Sequence, residues 1–193
     1  MSFNFHVAHL GKVLVNSHRG YCHVYPENTL PAFEGALQEG THSIEIDVAM
    51  TTDNEIVVIH DHSVDRTSNG TGYVEQMSLS DLSVLDFGGW FDQSFAGTKI
   101  PTLRECLVWA MDSGVGLVVE VKQRKRHKEF INELDKLLKS LPGSIEHIQL
   151  LSFDHVLLNI AKSSIENLNI QVVTLARYND QLAAVKASNA DCV

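Results

Sequence analysis

Paired cysteines are missing from this sequence. Cys22, Cys106 and Cys192 are odd in number, widely spaced and form no CxxC, which excludes a disulfide framework and a zinc ribbon and fits a reducing, cytoplasmic compartment. Long apolar runs are missing as well. No stretch of about 18 apolar residues occurs, so no membrane-spanning helix is expected. The first seventeen residues have neither a basic start nor a continuous apolar segment, and read as a leader into the first strand, not a secretory signal. Positive charge is scarce: 15 Lys and Arg face 24 Asp and Glu, a formal balance of −9, so nucleic acid would meet net repulsion and is not an expected partner. The one basic cluster, Lys122-Arg124-Lys125-Arg126-Lys128, reads as a solvated loop and helix start.

What is present suits one globular domain. With 193 residues, 44% of them hydrophobic and 20% charged, the chain can bury a single core. The β-branched run Lys12–Asn16 ends in the polar turn Ser17-His18-Arg19-Gly20. A helix is expected next, capped by Asn28, carrying Leu30, Phe33, Ala36 and Leu37 at helical spacing and stopped by Gly40. Further strand-like runs follow at 43–48, 56–60, 117–121, 148–151 and 170–173. Helices are expected between most of them, the clearest opening with a Thr102–Glu105 capping box and ending at Gly114, and another marked by Phe130, Leu134, Leu137, Leu138 and Leu141.

Strands that are apolar on both faces and alternate with helices imply a parallel sheet covered by helices, either a barrel or a doubly wound sheet. The link from Asp47 to Ile56 fits neither scheme, because it is too short for a helical crossover. Between His60 and Thr102 lies a long polar and aromatic segment, with Phe87-Gly88-Gly89-Trp90-Phe91 and a short helix expected around Leu79, Leu82 and Leu85; a connection of this length inside a compact domain usually carries function.

Glu45, Asp47 and Glu120 interrupt apolar strand runs, where an unpaired polar group is unfavourable. Glu45 and Asp47 are two apart and share one face of their strand. Two close carboxylates repel unless a proton or a cation intervenes, and with Glu120 they would form an oxygen-only site suited to Mg²⁺ or Ca²⁺. Salt bridges to nearby bases are the alternative, and Lys122 is in register with Glu120 to make one. His18 and His60 each close an apolar run. If those strands are parallel, His18, Arg19, Glu45, Asp47, His60, Glu120 and Lys122 gather on one face, as barrel enzymes arrange their sites. Two histidines, two cations and a metal suit displacement at phosphorus, with a phosphodiester as substrate. The other eight histidines, at 6, 9, 23, 42, 62, 127, 147 and 155, have no such partners and read as surface or packing residues.

In this order, His18-Arg19-Gly20, Pro26-Glu27-Asn28-Thr29, Glu45-Ile46-Asp47, His60-Asp61, Arg66-Thr67, Ile100-Pro101-Thr102-Leu103 and Glu120-Val121-Lys122 resemble the glycerophosphodiester phosphodiesterases of the bacterial cytosolic type. Each triplet is weak; the ordered set is specific, and Leu151-Ser152-Phe153 continues it. The resemblance implies an α/β fold, a TIM-type (β/α)8 barrel with a small insertion after the third strand, at residues 61–100. It implies hydrolysis of glycerophosphodiesters to an alcohol and sn-glycerol 3-phosphate, through attack by the glycerol hydroxyl and a cyclic phosphate. By the same likeness Glu45, Asp47 and Glu120 hold Mg²⁺ or Ca²⁺, Arg19 and Lys122 contact phosphate, His18 and His60 are the acid and base in an order left open, and Glu27 supports the loop, pairing with Arg19.

Two departures from the family pattern stand out. Tyr21-Cys22-His23-Val24-Tyr25 replaces small residues and is expected to reshape the mouth of the site. Ala190-Asp191-Cys192-Val193 resembles the start of the seventh strand, so residues 1–193 are expected to form one phosphodiesterase domain truncated there. Two other functions stay open: a lysophospholipase D-type phosphodiesterase, with Tyr25, Trp90, Phe91 and Phe95 as an apolar entry, and a non-catalytic binding protein on the same scaffold.

Overall fold

Parallel strands alternate with helices through most of the chain in the computed structural model, which describes residues 3, 5, 13–175 and 179–193. The strands are β1 Asn16–His18, β2 Ser43–Met50, β3 Ile56–Val58, β4 Gly116–Val121, β5 Ile148–Ser152 and β6 Asn169–Val172. The helices are α1 Leu30–Gln38, α2 Leu79–Ser83, α3 Leu103–Ser113, α4 His127–Ser140, α5 His155–Ser164 and α6 Gln181–Ala187. One sheet runs β1-β2-β4-β5-β6, parallel at every step. Cys192 adds a single parallel bridge to Gln171 of β6. The first strand lies later than the expected run, whose Lys12 falls outside the described residues.

The exception is β3, which pairs antiparallel with β2, Val48 opposite Val58 and Met50 opposite Ile56. The short link after β2 is therefore a hairpin, which needs no crossover helix. Val48 is paired with Val121 as well as Val58, and Glu45 with Val118 as well as His18, so β3 lies on the same edge of β2 as β1 and takes the place that β1 leaves. His60 thus follows a descending strand. It does not close a parallel one, as the sequence pattern suggested, yet it arrives beside β2 because the Ile59 N–H donates to the Asp47 carbonyl at 2.8 Å.

Alternation along the strands sorts the core from the site. Ile44, Ile46, Val48 and Met50 of β2, Leu117, Val119 and Val121 of β4, Ile148 and Leu150 of β5, and Ile170 and Val172 of β6 all pack in the main core, which also takes Phe33, Leu103, Leu107, Phe130 and Leu134 from the helices. The opposite face of the same strands carries Glu45, Asp47, Glu120, Gln149 and Gln171. Against the expectation of strands apolar on both faces, the first face is buried and apolar throughout, whereas the second is polar in part, with Glu120, Asn169 and Gln171 half-buried.

Residues 59–101 leave β3 and return beside it, where Val58 N–H donates to the Pro101 carbonyl at 2.9 Å. This segment holds α2 and two 3₁₀ turns, Val74–Gln76 and Gln93–Phe95. A second, small core joins its Ile59, Val64, Val74, Leu82, Phe87 and Ile100 to Ala49 of β2 and Val57 of β3. Among the described residues no helix is long and apolar enough to cross a membrane.

Local signals explain the helix ends. Thr102 accepts from the Glu105 N–H at 3.2 Å while Glu105 accepts from the Thr102 N–H at 2.7 Å, and Gly114 closes α3 in the left-handed conformation. Thr102→Ala should lower stability by about 1 kcal/mol. A urea titration should read this as a lower midpoint at unchanged slope. The cap of α1 is Thr29, not Asn28, whose side chain is used elsewhere.

Candidate active site

The centre of the site is built by register. Asp47 on β2 lies opposite Glu120 on β4, and Glu45 is two residues before Asp47 on the same face. One carboxylate oxygen from each of Glu45, Asp47 and Glu120 falls within 4.8 Å of the others. Lys122, again two residues along, places Nζ 2.6 Å from Glu120 Oε1 and 3.2 Å from Asp47 Oδ1. Arg19 reaches the same carboxylate from the turn after β1, with Nε 3.2 Å from Asp47 Oδ2. That turn needs left-handed backbone at Arg19 (φ 58°) and Gly20 (φ 83°), and a Cβ on Gly20 would stand 2.8 Å from the Ala32 backbone.

The acid cluster and the salt bridges, on which the two readings left open by the sequence rest, are both present, and their balance is informative. Lys122 and Arg19 serve Asp47 and Glu120. Among the described residues Glu45 receives only the Arg19 N–H at 3.3 Å and His18 Nε2 at 3.8 Å. Burial, reinforced by Asp47 and then Glu120, pushes its carboxyl up to about 8. Glu45 Oε1 is buried without a hydrogen-bond partner, and Asp47 Oδ1, equally buried, has the Lys122 ammonium at 3.2 Å as an ion-pair contact and no well-formed hydrogen bond. Oxygen-only donors, with one buried oxygen unpartnered and another held only by an ion pair, fit a hard divalent cation.

A chain of ion pairs ties this centre to His60. Arg19 Nη1 donates to Glu27 Oε1 at 2.9 Å, as expected of Glu27. Arg66 then grips two acids, donating to Glu27 at 2.8 and 2.9 Å and to Asp61 at 2.7 and 3.2 Å. Asp61 Oδ1 in turn lies 2.7 Å from His60 Nδ1. Hydrogen bonding from Arg66 first, and from His60, holds Asp61 down at about 2 despite its partial burial. Glu45, Asp47, Glu120, Glu27 and Asp61 are five carboxylates against three permanent cations, Arg19, Lys122 and Arg66, so full ionisation leaves two negative charges, matching one divalent ion.

His18 flanks the centre on the side of β1, its side chain 66% exposed, and burial, then the Arg19 charge, keeps it below its ordinary value. His60 flanks it on the side of the insertion. Its face of the site opens into a cleft of about 640 Å³, lined among others by His60, His62, Glu120, Lys122, Arg124 and Phe153. All seven residues singled out in the sequence thus lie in one ion-pair and cleft neighbourhood.

Sequence reasoning missed four residues there. Asn28, with φ 57°, donates from Nδ2 to Asp47 Oδ2 at 2.9 Å and accepts from the Asp47 N–H at 3.3 Å. Asp61 and Arg66 orient His60; their presence in the ordered motifs was the available signal. His62 was read as surface or packing but lines the cleft. Of the other histidines, His147 bonds the Val115 carbonyl and His155 the Val173 carbonyl in packing roles, while His6 and His9 lie outside the described residues. The aromatic residues considered as an apolar entry instead pack on one another: Tyr25 on Phe95, Phe95 on Phe91, and Phe91 on Trp90, with Arg66 over the Trp90 ring. They fasten the insertion to the loop before α1.

Residues 18–193 match the model of the glycerophosphoryl diester phosphodiesterase family. A glycerophosphodiester phosphodiesterase of Caldanaerobacter subterraneus subsp. tengcongensis is 38% identical over 161 residues, 82% of this chain and 65% of the relative. YhdW of Bacillus subtilis (strain 168) is 40% identical over 132 residues, 68% of this chain and 54% of its own length. The chain therefore spans between about half and two thirds of these relatives. Among solved structures, an Oleispira antarctica phosphodiesterase in complex with the product sn-glycerol-3-phosphate superposes with a TM-score of 0.85 at 28% identity, covering 95% of this chain and 74% of that one. A glycerophosphodiester phosphodiesterase from Thermotoga maritima gives 0.70 at 25% identity, with 93% and 71% covered. With a parallel sheet whose helix-covered face is apolar and whose other face carries the acids, the fold is the α/β, TIM-type barrel fold of these neighbours, and the chain belongs to the glycerophosphoryl diester phosphodiesterase family.

Proposed function

We propose that this chain carries the catalytic centre of an enzyme that hydrolyses glycerophosphodiesters to an alcohol and sn-glycerol 3-phosphate. The observation that carries the reading is the cluster of Glu45, Asp47 and Glu120, with Glu45 Oε1 left unpartnered, between two histidines and two cations. Mg²⁺ or Ca²⁺, held by those three acids, would neutralise charge on the phosphate oxygens. Arg19 and Lys122 sit against the same acids and would place their remaining N–H groups on the phosphate. Asp61 at Nδ1 leaves His60 Nε2 free to exchange a proton with the substrate, and His18 Nε2 faces the site beside Glu45. One imidazole would take the proton of the attacking hydroxyl, and the other would give one to the departing alkoxide. The small molecule is the proposed partner. The unpaired Cys22, Cys106 and Cys192 support a reducing, cytoplasmic location.

Release of glycerol 3-phosphate from glycerophosphocholine, followed with and without chelator, tests this. Turnover should stop on thorough chelation and return with Mg²⁺ or Ca²⁺. Activity that survives chelation would remove the cation from the scheme, and no release in any condition would sink the function.

A further inference from the structure

The basic run after β4, which looks like one patch in the sequence, is divided by the fold into separate tasks. Lys122 joins Asp47 and Glu120. Arg126 donates to the Thr51 carbonyl at 3.1 Å and bonds the Asn54 side chain, which ties the loop to the β2–β3 hairpin. Lys128 is exposed on α4. Arg124 and Lys125 remain at the rim of the cleft. Lys125 has Glu75 at 3.7 Å, whereas Arg124 has no hydrogen bond or ion pair among the described residues.

The loop that presents Arg124 is pinned on both sides of it. Buried Gln123 accepts from the Met50 N–H at 2.9 Å and donates to the Lys125 carbonyl at 2.8 Å. Beside it lies a second cavity of about 170 Å³, lined by Ala49, His62, Tyr73, Glu75, Arg124 and Lys125 among others. At about 30 Å³ per water this has room for roughly five waters, or for one small polar group with its hydration. His62, Lys122, Gln123 and Arg124 line both this cavity and the catalytic cleft, so the two adjoin. The acids in reach are already engaged: Glu75 with Lys125, Asp61 with Arg66, and Asp154 with His127 at 3.6 Å. Burial, then the Arg124 charge, lowers the value of His62 against the opposing charges of Glu75 and Asp61, which places the Arg124 guanidinium close to this histidine.

We propose that this side pocket receives the far end of the diester and that Arg124, on its pinned loop, selects alcohols bearing an anionic group, a phosphate or a carboxylate, over quaternary ammonium head groups. The proposal rests on the reading of the centre as a glycerophosphodiesterase and names its substrate class. In a protein of formal charge −9, a cation left unpaired beside the reacting centre attracts an anion locally and repels choline.

Three diesters with the same glycerophosphate end test it: glycerophosphoglycerol, its terminally phosphorylated form, and glycerophosphocholine. The phosphorylated diester should show a kcat/KM about tenfold above glycerophosphocholine, and Arg124→Ala should remove that ratio, Arg124→Lys keep most of it and Arg124→Glu reverse it. Raising the salt should shrink the ratio. A ratio unchanged in Arg124→Ala, or a preference for choline in the unaltered chain, overturns the proposal. Calorimetric titration of the same three compounds in a His18→Ala background reads the order of affinity apart from turnover. If nothing is hydrolysed but the affinity order holds and depends on Arg124, the pocket stands and the enzymatic reading falls; hydrolysis with a flat order has the opposite meaning.

Discussion

Alanine at His18 or at His60 should lower kcat by about 10²–10⁴-fold, the usual worth of a positioned proton-transfer group. KM and stability should change little. His18 is largely exposed, and its one polar contact in the site is at 3.8 Å. His60→Ala removes one partner of Asp61, but Arg66 still holds both oxygens of that carboxylate. Surface changes of this kind usually stay within about 0.5 kcal/mol. The two variants should separate when the leaving group is changed. An alcohol needs a proton as it departs and p-nitrophenolate does not, so a p-nitrophenyl ester should repair the variant that lacks the acid and leave the other defective. Rates near those of the unaltered chain in both variants would remove the pair from the mechanism.

The second large effect is expected at Glu45. Its value is raised from 4.5 to about 8 by burial, then Asp47, then Glu120. A carboxyl raised on folding favours the folded state fully below pH 4.5, and that contribution is lost as pH rises through about 8, where the ionised form must occupy the buried site. A bound divalent cation reverses the balance by stabilising the ionised form. Apparent affinity for Mg²⁺ or Ca²⁺ should therefore fall by up to about tenfold for each pH unit below 8, as the proton competes for the same oxygen. Glu45→Gln keeps the shape without the charge. In chelator at pH 8 its Tm should exceed that of the unaltered chain, the gain on adding cation should vanish, and kcat/KM should drop by roughly 10²-fold or more. Comparing the two proteins cancels the histidines that titrate in the same range. Thermal unfolding with and without cation between pH 5 and 8 makes the measurement, and an undiminished cation shift in Glu45→Gln would show that the ion binds elsewhere.

Much of the centre was legible because it depends on local rules. Glu45-Ile46-Asp47 announces two acids on one strand face, Thr102 and Glu105 announce a helix start, and after β1, which forms later than its run, the apolar runs announce strands within a residue or two of where they form. The errors share a cause. Ile56–Val58 reads the same whether it pairs parallel or antiparallel, since both put three β-branched or apolar residues in a buried strand. Asn28 satisfies the statistics of a cap, yet its amide serves Asp47, nineteen residues away in sequence. The five bases after β4 look like one surface because sequence lists them together, although their side chains diverge to the centre, the hairpin, the helix and the rim.

Composition and alternation were enough to establish an α/β chain with three misplaced acids and two strand-end histidines, because burial of apolar side chains has a period that sequence displays directly. Which oxygen is left without a partner, that Arg66 reaches Glu27 across 39 positions and joins it to Asp61, and that Arg124 stands unpaired beside a second cavity are matters of distance between elements. Those distances are fixed by strand register and by the hairpin that returns β3 along β2. Local propensity carries no information about either.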